Sequence, residues 1–580
     1  MSTHRKKPFS AKQKKAQILE KRAKKKPDSW DWSKDEEGEV VSGEVVSEPG
    51  GGQTQGDSSE NREHRSEDIS TEFRKKKGPR ARSGARGGPE EEAESKRLES
   101  VFAKLSPAMI EARKRDSTKP LARLAQEALE VGFDDVYSDV KSIDMPKRPP
   151  WTAGESKDAL EQREEQGFAA WKDDVYSKHP ADELSYFEHN LEVWRQLWRV
   201  AELSDIALFV IDSRHPVLHF PPSLFQYIVH DLGKKLVLVF NKIDLIEPAT
   251  LEAWRIYFVH RFPGLLTAAF SCYPKEGFLT SGSAKEALKS RHRRRYKRYL
   301  RAVGISDVLK ACRDVHLVKS GVTVDWESLI TKTEKELQER HDAELAKQRA
   351  KDKDDEFLGR SRRRQRMPAA EDSGIEDSDD ESTDEDVEGK VSPTTALREH
   401  EVNKDMITIG LVGHPNVGKS SLINSIVGRK VVSTSRSPGH TKHFQTIHLT
   451  PEVRLCDCPG LVFPAVMPKP VQILSGMYRI AQVQEPYTAV KYLAERVPIE
   501  DILGLKHPDV DNENDVPPWS AWNICEAYAL QRGFLTGRAA RPDVYRAANA
   551  ILQLVNDGRI ILSFKPPMYF STQKGPKHDH

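Results

Sequence analysis

The sequence predicts an α/β fold built on a mostly parallel sheet of the phosphate-loop (P-loop) type, followed by a small helical C-terminal domain and flanked by disordered basic and acidic segments. Three observations predict it. Short apolar runs rich in Leu and β-branched residues alternate with helix-like segments, the pattern of strands buried on both faces. A glycine-bearing loop at 413–420 closes one such run and opens a helix. Charge is segregated into long stretches that lack the apolar residues needed for a core.

The 580 residues carry a net charge of +2, which conceals that segregation. The first 26 positions hold eleven Lys or Arg and one acid, whereas 371–388 hold eleven Asp or Glu. Such a chain attracts polyanions at one place and repels them at another. Residues 1–100 read as a disordered basic arm and charged tail, with a basic helix near Ala11–Lys26. Residues 101–180 form a sparse, partly ordered lead-in, with a turn at Pro149, Pro150 and Trp151. A helix is expected over Leu184–Glu202, because Phe187, Leu191, Trp194 and Trp198 share one helical face. Strands follow at 205–212, 235–241 and 265–271 within the segment 181–345. The charged, acidic stretch 346–400 reads as a disordered linker. Strands resume at 407–413, 445–449 and 453–457, in the segment 401–470. In 471–570, helices are expected over Trp519–Arg532 and Arg541–Asn556, stopped by Gly533 and Gly558.

Five cysteines make no disulfide framework, and Cys456 and Cys458 read as reduced core residues of a reducing compartment. No apolar run is long enough to span a bilayer, and the basic N-terminus is not followed by an apolar region. A soluble, intracellular protein with no membrane role is expected.

Gly413-His414-Pro415-Asn416-Val417-Gly418-Lys419-Ser420 is a GxxxxGKS phosphate loop, with Ser421 continuing into the helix. Its backbone N–H groups can face phosphates at a helix N-terminus, Lys419 can reach the β- and γ-phosphates, and Ser420 can offer its hydroxyl to Mg²⁺. Asp457-Cys-Pro-Gly460 ends a strand, where Asp457 can hold Mg²⁺ and the Gly460 N–H can meet a γ-phosphate. Between them, Thr441 of Pro438-Gly-His-Thr can add a hydroxyl to the metal when the γ-phosphate is present. Upstream, Asn241-Lys242-Ile-Asp244 closes another strand. The Asp244 carboxylate can accept from guanine N1–H and the N2 amino group, a donor pair that adenine lacks. Asn241 and Lys242 would brace that loop and cover the base. A Ser loop that offers a backbone N–H to guanine O6 has two candidates. Ser283-Ala284-Lys285 spells it better, but Ser271 ends the third strand, where geometry requires it, and is preferred.

The runs SRHPV, NKID, GHPNVGKSSLIN, SPGHTKHFQT and DCPGLVFP occur in that order. With them the sequence resembles the circularly permuted GTPases of the YlqF/YawG type, in which a Ras-like sheet begins with its guanine-recognition half. The resemblance covers about 185–275 and 400–565, plus the basic start. It implies GTP/GDP and Mg²⁺ as ligands, and slow hydrolysis that times a ribosome-assembly or ribonucleoprotein step. A GTP-dependent RNA-binding scaffold with incidental hydrolysis is the alternative. Where Ras-like proteins place a water-orienting Gln stands Leu461. The resemblance offers Asn416 as a K⁺ ligand, with Lys419 as a catalytic charge. His189, sixteen residues before Asp205, corresponds to a catalytic His, although Phe187-Glu188 replaces the family's Pro-Gly. It also implies rRNA or a pre-ribosomal particle as partner and a nuclear or nucleolar location with shuttling to the cytoplasm. The basic arm then reads as an RNA clamp or an address for import factors. Lys289–Arg301, with Tyr296 and Tyr299, would add RNA contacts, and Ser378 invites phosphorylation.

Overall fold

A computed structural model describes residues 100–272, 302–346 and 406–573, with short breaks, the longest at 138–142 and 510–516. The basic arm, Ser283, Tyr296 and Tyr299, and the acidic linker with Ser378 lie outside the described residues.

Six strands among the described residues form one sheet: β1 (Ile206–Asp212), β2 (Lys235–Asn241), β3 (Leu266–Phe270), β4 (Ile407–Val412), β5 (Gln445–His448) and β6 (Val453–Asp457). Their spatial order is β3-β2-β1-β4-β6-β5. All pairings are parallel except that of β5 with β6. The two sequence halves meet at β1 and β4, where Leu208 lies opposite Leu411 and Phe209 opposite Val412. The continuous apolar character of β1 and β4 follows from this central position, since every residue of both strands is buried. β5 lies at the edge, and none of its residues is buried.

The longer helices are α1 (Pro107–Ser117), α2 (Lys157–Lys178), α3 (Leu191–Leu203), α4 (Pro248–Arg261), α5 (Ile305–Asp314), α6 (Lys419–Val427), α7 (Lys469–Leu474), α8 (Tyr487–Arg496), α9 (Ala521–Arg532) and α10 (Val544–Asn556). They cover both faces of the sheet. Because strand side chains alternate, Phe209 and Ile211 of β1 face one apolar cluster and Leu208 and Val210 the other. The first cluster contains Trp194 and Trp198 of α3, Trp254 and Phe258 of α4, and Leu493, Ile524, Ile551 and Leu552 of the C-terminal helices. The C-terminal helices therefore share a core with the sheet. The second cluster holds Val308 and Leu309 of α5 and Leu422 and Ile423 of α6. No helix among the described residues is long and apolar enough to cross a membrane.

The helix expected from Leu184 begins at Leu191 instead. Asn190 caps it, its Oδ1 accepting from the Glu192 N–H at 3.0 Å. The preceding residues run beside a later segment: Ser185 N–H donates to Ala465 O at 2.9 Å and Glu188 N–H to Val462 O at 3.0 Å. Phe187 is buried against Trp171 of α2, so its place in the apolar stripe reflects burial rather than helical geometry. The lead-in contributes α2 and also Phe133, Val136 and Met145 to the first cluster.

Candidate functional site

Parallel strands present their C-terminal ends along one edge of a sheet, where ligands of such folds bind. Here that edge carries Asp212, Asn241, Phe270, Val412 and Asp457, the last residues of five strands. The loops that leave them build one site from both halves of the chain.

The phosphate loop curls between β4 and α6. Gly418 has φ 103°, and a Cβ there would stand 2.2 Å from the Asn241 amide nitrogen, so only glycine fits. Asn241 uses that amide to donate to the Val417 carbonyl at 2.6 Å. Asn416 also adopts a left-handed φ of 58°, and its amide donates to the Gly476 carbonyl at 3.0 Å. Gly460 approaches the loop from β6, and a Cβ there would lie 2.6 Å from Pro415 Cα. An open cleft of about 450 Å³ is bordered by Pro415, Asn416, Gly418, Lys419, Ser420, Ser421, Thr441 and Gly460. The Gly413 carbonyl accepts from Lys419 Nζ at 2.9 Å, beside the His414 carbonyl at 2.8 Å. Burial lowers the Lys419 ammonium from its usual range, against the attraction of Asp457.

Ser420 Oγ donates to Asp457 Oδ2 at 2.6 Å and lies 3.3 Å from Thr441 Oγ1. Asp457 is fully buried, and its Oδ1 meets no donor among the described residues. Burial raises this carboxyl to about 6, opposed by the Ser420 hydrogen bond and by Lys419. A buried carboxylate oxygen without a donor, beside two hydroxyls at a phosphate loop, is a donor set that suits Mg²⁺. The residues present therefore fit that ion.

The guanine box stands next to this cleft. Lys242 takes a left-handed φ of 62°, with its N–H bonded to Asn241 Oδ1 at 2.7 Å. Ser271 Oγ donates to Asp244 Oδ1 at 2.5 Å and so orients the base-reading carboxylate. Ser271 thus joins the guanine box through its side chain, while its own backbone N–H is taken. That N–H donates to Val303 O at 3.0 Å, because Ser271 and Val303 form a short antiparallel bridge.

Two loop side chains turn away from the cleft. Val417 packs fully buried in the second cluster, and His414 lies in the core between His219 and Phe463. Both can serve a nucleotide only through their backbones. His189 does not border the cleft; its Nε2 lies 3.0 Å from the Tyr176 hydroxyl, and burial lowers its imidazole below the ordinary value. Leu461 is buried in the first cluster.

Several participants escape sequence reasoning. Lys242 Nζ reaches Asp212 Oδ2 at 2.8 Å, and Asp212 also holds Arg214 at 2.8 Å. Burial alone would raise the Asp212 carboxyl, but Arg214 and Lys242 outweigh it and hold it well below the carboxylate range. Arg214 in turn donates to the Val555 carbonyl of α10 at 2.9 Å, and its own carbonyl accepts from Phe564 N–H. The SRHPV run marked this segment without showing what it touches. Arg479 likewise carries no motif, yet donates to Pro438 O at 2.6 Å and Gly439 O at 3.0 Å.

Comparison with known proteins places this geometry. A family described as 50S ribosome-binding GTPase matches residues 408–497. Guanine nucleotide-binding protein-like 1 of Pongo abelii and of Homo sapiens are each 42% identical over 480 residues, spanning 83% of this chain and 74% of theirs. The large subunit GTPase 1 homolog of Danio rerio is 29% identical over 458 residues, 75% of this chain and 67% of its own. The GNP-bound YlqF of T. maritima aligns at 15% identity and a TM-score of 0.32, over 65% of this chain and 98% of its own. With a sheet that starts from its guanine-recognition half and closes on its phosphate loop, the chain belongs to the guanine nucleotide-binding protein-like 1 family of circularly permuted GTPases, which bind guanine nucleotide and hydrolyse GTP.

Proposed function

We propose that this GTPase is slow and Mg²⁺-dependent and that it times a step in the assembly of a ribosome or another ribonucleoprotein. The observation that carries the metal dependence is the grouping of Ser420, Thr441 and Asp457, in which Ser420 at the cleft donates to Asp457 Oδ2 and lies 3.3 Å from Thr441 Oγ1. These residues would hold Mg²⁺, which would supply positive charge to offset the negative charge that develops on the phosphates. Lys419 binds the phosphates, the phosphate-loop N–H groups orient them, and Asp244, set by Ser271, selects guanine.

Slowness follows from Leu461. An apolar side chain buried in the core cannot orient a water, so the chain relies on another source of activation. We propose K⁺ beside Asn416 as that source, with His189 as a further group, since it follows Glu188, which is bonded to Val462 in the segment after Gly460. The same buried Leu461 favours a second reading, a GTP-dependent ribonucleoprotein scaffold in which turnover is incidental. The ribosomal part of the proposal draws on the matched family's description and on the basic arm, which suits rRNA phosphates and a nuclear or nucleolar address read by import factors.

The test is single-turnover GTP hydrolysis by the full chain, in K⁺ and in Na⁺, with and without purified ribosomal subunits. Slow basal turnover that depends on Mg²⁺ and rises with K⁺ and subunits is expected. Turnover unaffected by subunits, with GTP-dependent binding to them, would support the scaffold instead. His189→Ala with unchanged stimulated turnover would remove that residue from the mechanism.

A further inference from the structure

The chain between the DxPG box and the C-terminal helices passes both rims of the nucleotide cleft within one turn. α7 ends at Leu474, and Gly476 reverses the backbone with φ 78°. The Gly476 carbonyl accepts from Asn416 of the phosphate loop at 3.0 Å. Three residues later, Arg479 sends Nε to the Pro438 carbonyl at 2.6 Å and Nη2 to the Gly439 carbonyl at 3.0 Å. A Cβ on Gly439 would lie 2.7 Å from Arg479 Nη2, so the loop lies tightly against the guanidinium. Gly439 and Thr441 both border the cleft. The Thr441 hydroxyl is 3.3 Å from Ser420 Oγ in the same arrangement.

We propose that Arg479 is a positioning residue for GTP hydrolysis: its forked grip on Pro438 and Gly439 holds the switch loop closed, so that Thr441 stands beside Ser420 when the γ-phosphate arrives. The inference rests on the reading of Thr441 as a group that acts only with GTP. Two carbonyls held by one planar, permanently charged group fix the direction as well as the place of a loop. The loop's ordering cost is then met within the protein before nucleotide binds, which favours the state that uses Thr441. Because the same turn holds Asn416 through Gly476, loosening it would move both rims of the cleft.

Five full-length proteins decide this: wild type, Arg479→Ala, Arg479→Lys, Thr441→Ala and the Arg479→Ala/Thr441→Ala double variant. Affinities for GDP and for a non-hydrolysable GTP analogue are measured in Mg²⁺, with single-turnover hydrolysis alongside. Losing two charge-assisted hydrogen bonds that matter only in the GTP state should weaken analogue binding roughly tenfold and leave GDP binding within about twofold. Arg479→Lys should fail to restore the difference, because one ammonium cannot span both carbonyls in the same plane. In the double variant the two effects should not add, since they report one interaction. Equal losses for GDP and analogue, full rescue by lysine, or strict additivity would each overturn the proposal. If Thr441→Ala leaves analogue affinity unchanged, the reading of Thr441 fails and the proposal falls with it. If Thr441→Ala acts and Arg479→Ala does not, the proposal alone fails.

Discussion

The amide of Asn241 donates to the carbonyl of Val417 at 2.6 Å, across the cleft edge that separates the guanine box from the phosphate loop. These residues lie 176 positions apart, on opposite sides of the long charged segment, and the bond joins the two halves of the permuted chain at the ligand. Removing the amide leaves a buried carbonyl unpaired, which costs about 1–3 kcal/mol. Asn241→Ala should therefore lower the unfolding free energy by about that amount and weaken GDP binding. Denaturant unfolding with and without GDP checks both, and an unchanged midpoint would count against the brace.

Ser271 acts on the base through Asp244 rather than by touching it. Ser271→Ala keeps the carboxylate but frees its direction, so GDP affinity should fall by about 0.5–1.5 kcal/mol, the worth of one ordinary hydrogen bond. Asp244→Ala should cost much more, because it removes the acceptor itself. Calorimetric titration of both variants orders the effects, and equal losses would show that Ser271 has another task.

Replacing Leu461 with the water-orienting residue of Ras-like proteins should not create a fast enzyme. Leu461 is 1% exposed and belongs to the first apolar cluster. A glutamine there places an amide in the core at a cost of about 1–3 kcal/mol unless it finds partners. Leu461→Gln is expected to melt earlier than wild type with no gain in turnover. A several-fold faster basal rate at unchanged melting temperature would show that the side chain can swing to the cleft.

Acid should unfold the protein through its buried histidines. His215 and His219 are fully buried, with both ring nitrogens of His215 and Nε2 of His219 lacking partners among the described residues. Burial pushes both down to about 3, with Arg214 and Lys242 lowering His215 and Asp212 opposing. His414 is also held well below the usual range by burial. A depressed folded pKa means that the unfolded chain takes the proton first, near 6.5, so this stability is present above that pH and lost as pH falls. His215 and His219 each contribute a slope of about 1.4 kcal/mol per pH unit between about 6.5 and 3. Asp457 runs the other way, since its carboxyl raised to about 6 protonates in the folded state first and offsets one histidine below that pH. Unfolding free energies from pH 7.5 to 5 should fall, and less steeply in His215→Asn. Parallel slopes for the two proteins would exclude His215 as a source.

Much of the site was legible from short-range pattern. The strands at 206–212, 235–241 and 453–457 match the apolar runs because both faces of a central sheet are covered, which forces unbroken hydrophobicity. The phosphate loop, NKID and DCPG were legible because each chemistry needs fixed residue types within a few positions of a strand end. The helix start at Leu191 was not, because a stretch laid beside Val462 and Ala465 can bury Phe187 as well as a helix would. The inward turn of His414, with its partner His219 195 positions away, and the bond of the Ser271 N–H to Val303 are encoded by no local spacing.

The order of the boxes, and hence the placing of the guanine-reading half before the phosphate-binding half, is written in contiguous words along the chain. What holds the halves together emerges from packing: Asn241 on Val417, Ser271 on Asp244, Arg214 on Val555 and Arg479 on the switch loop. The cause is distance along the chain. Each of these contacts needs one directional polar group to meet another that only packing brings within about 3 Å, and a single sequence records the groups but not their meeting.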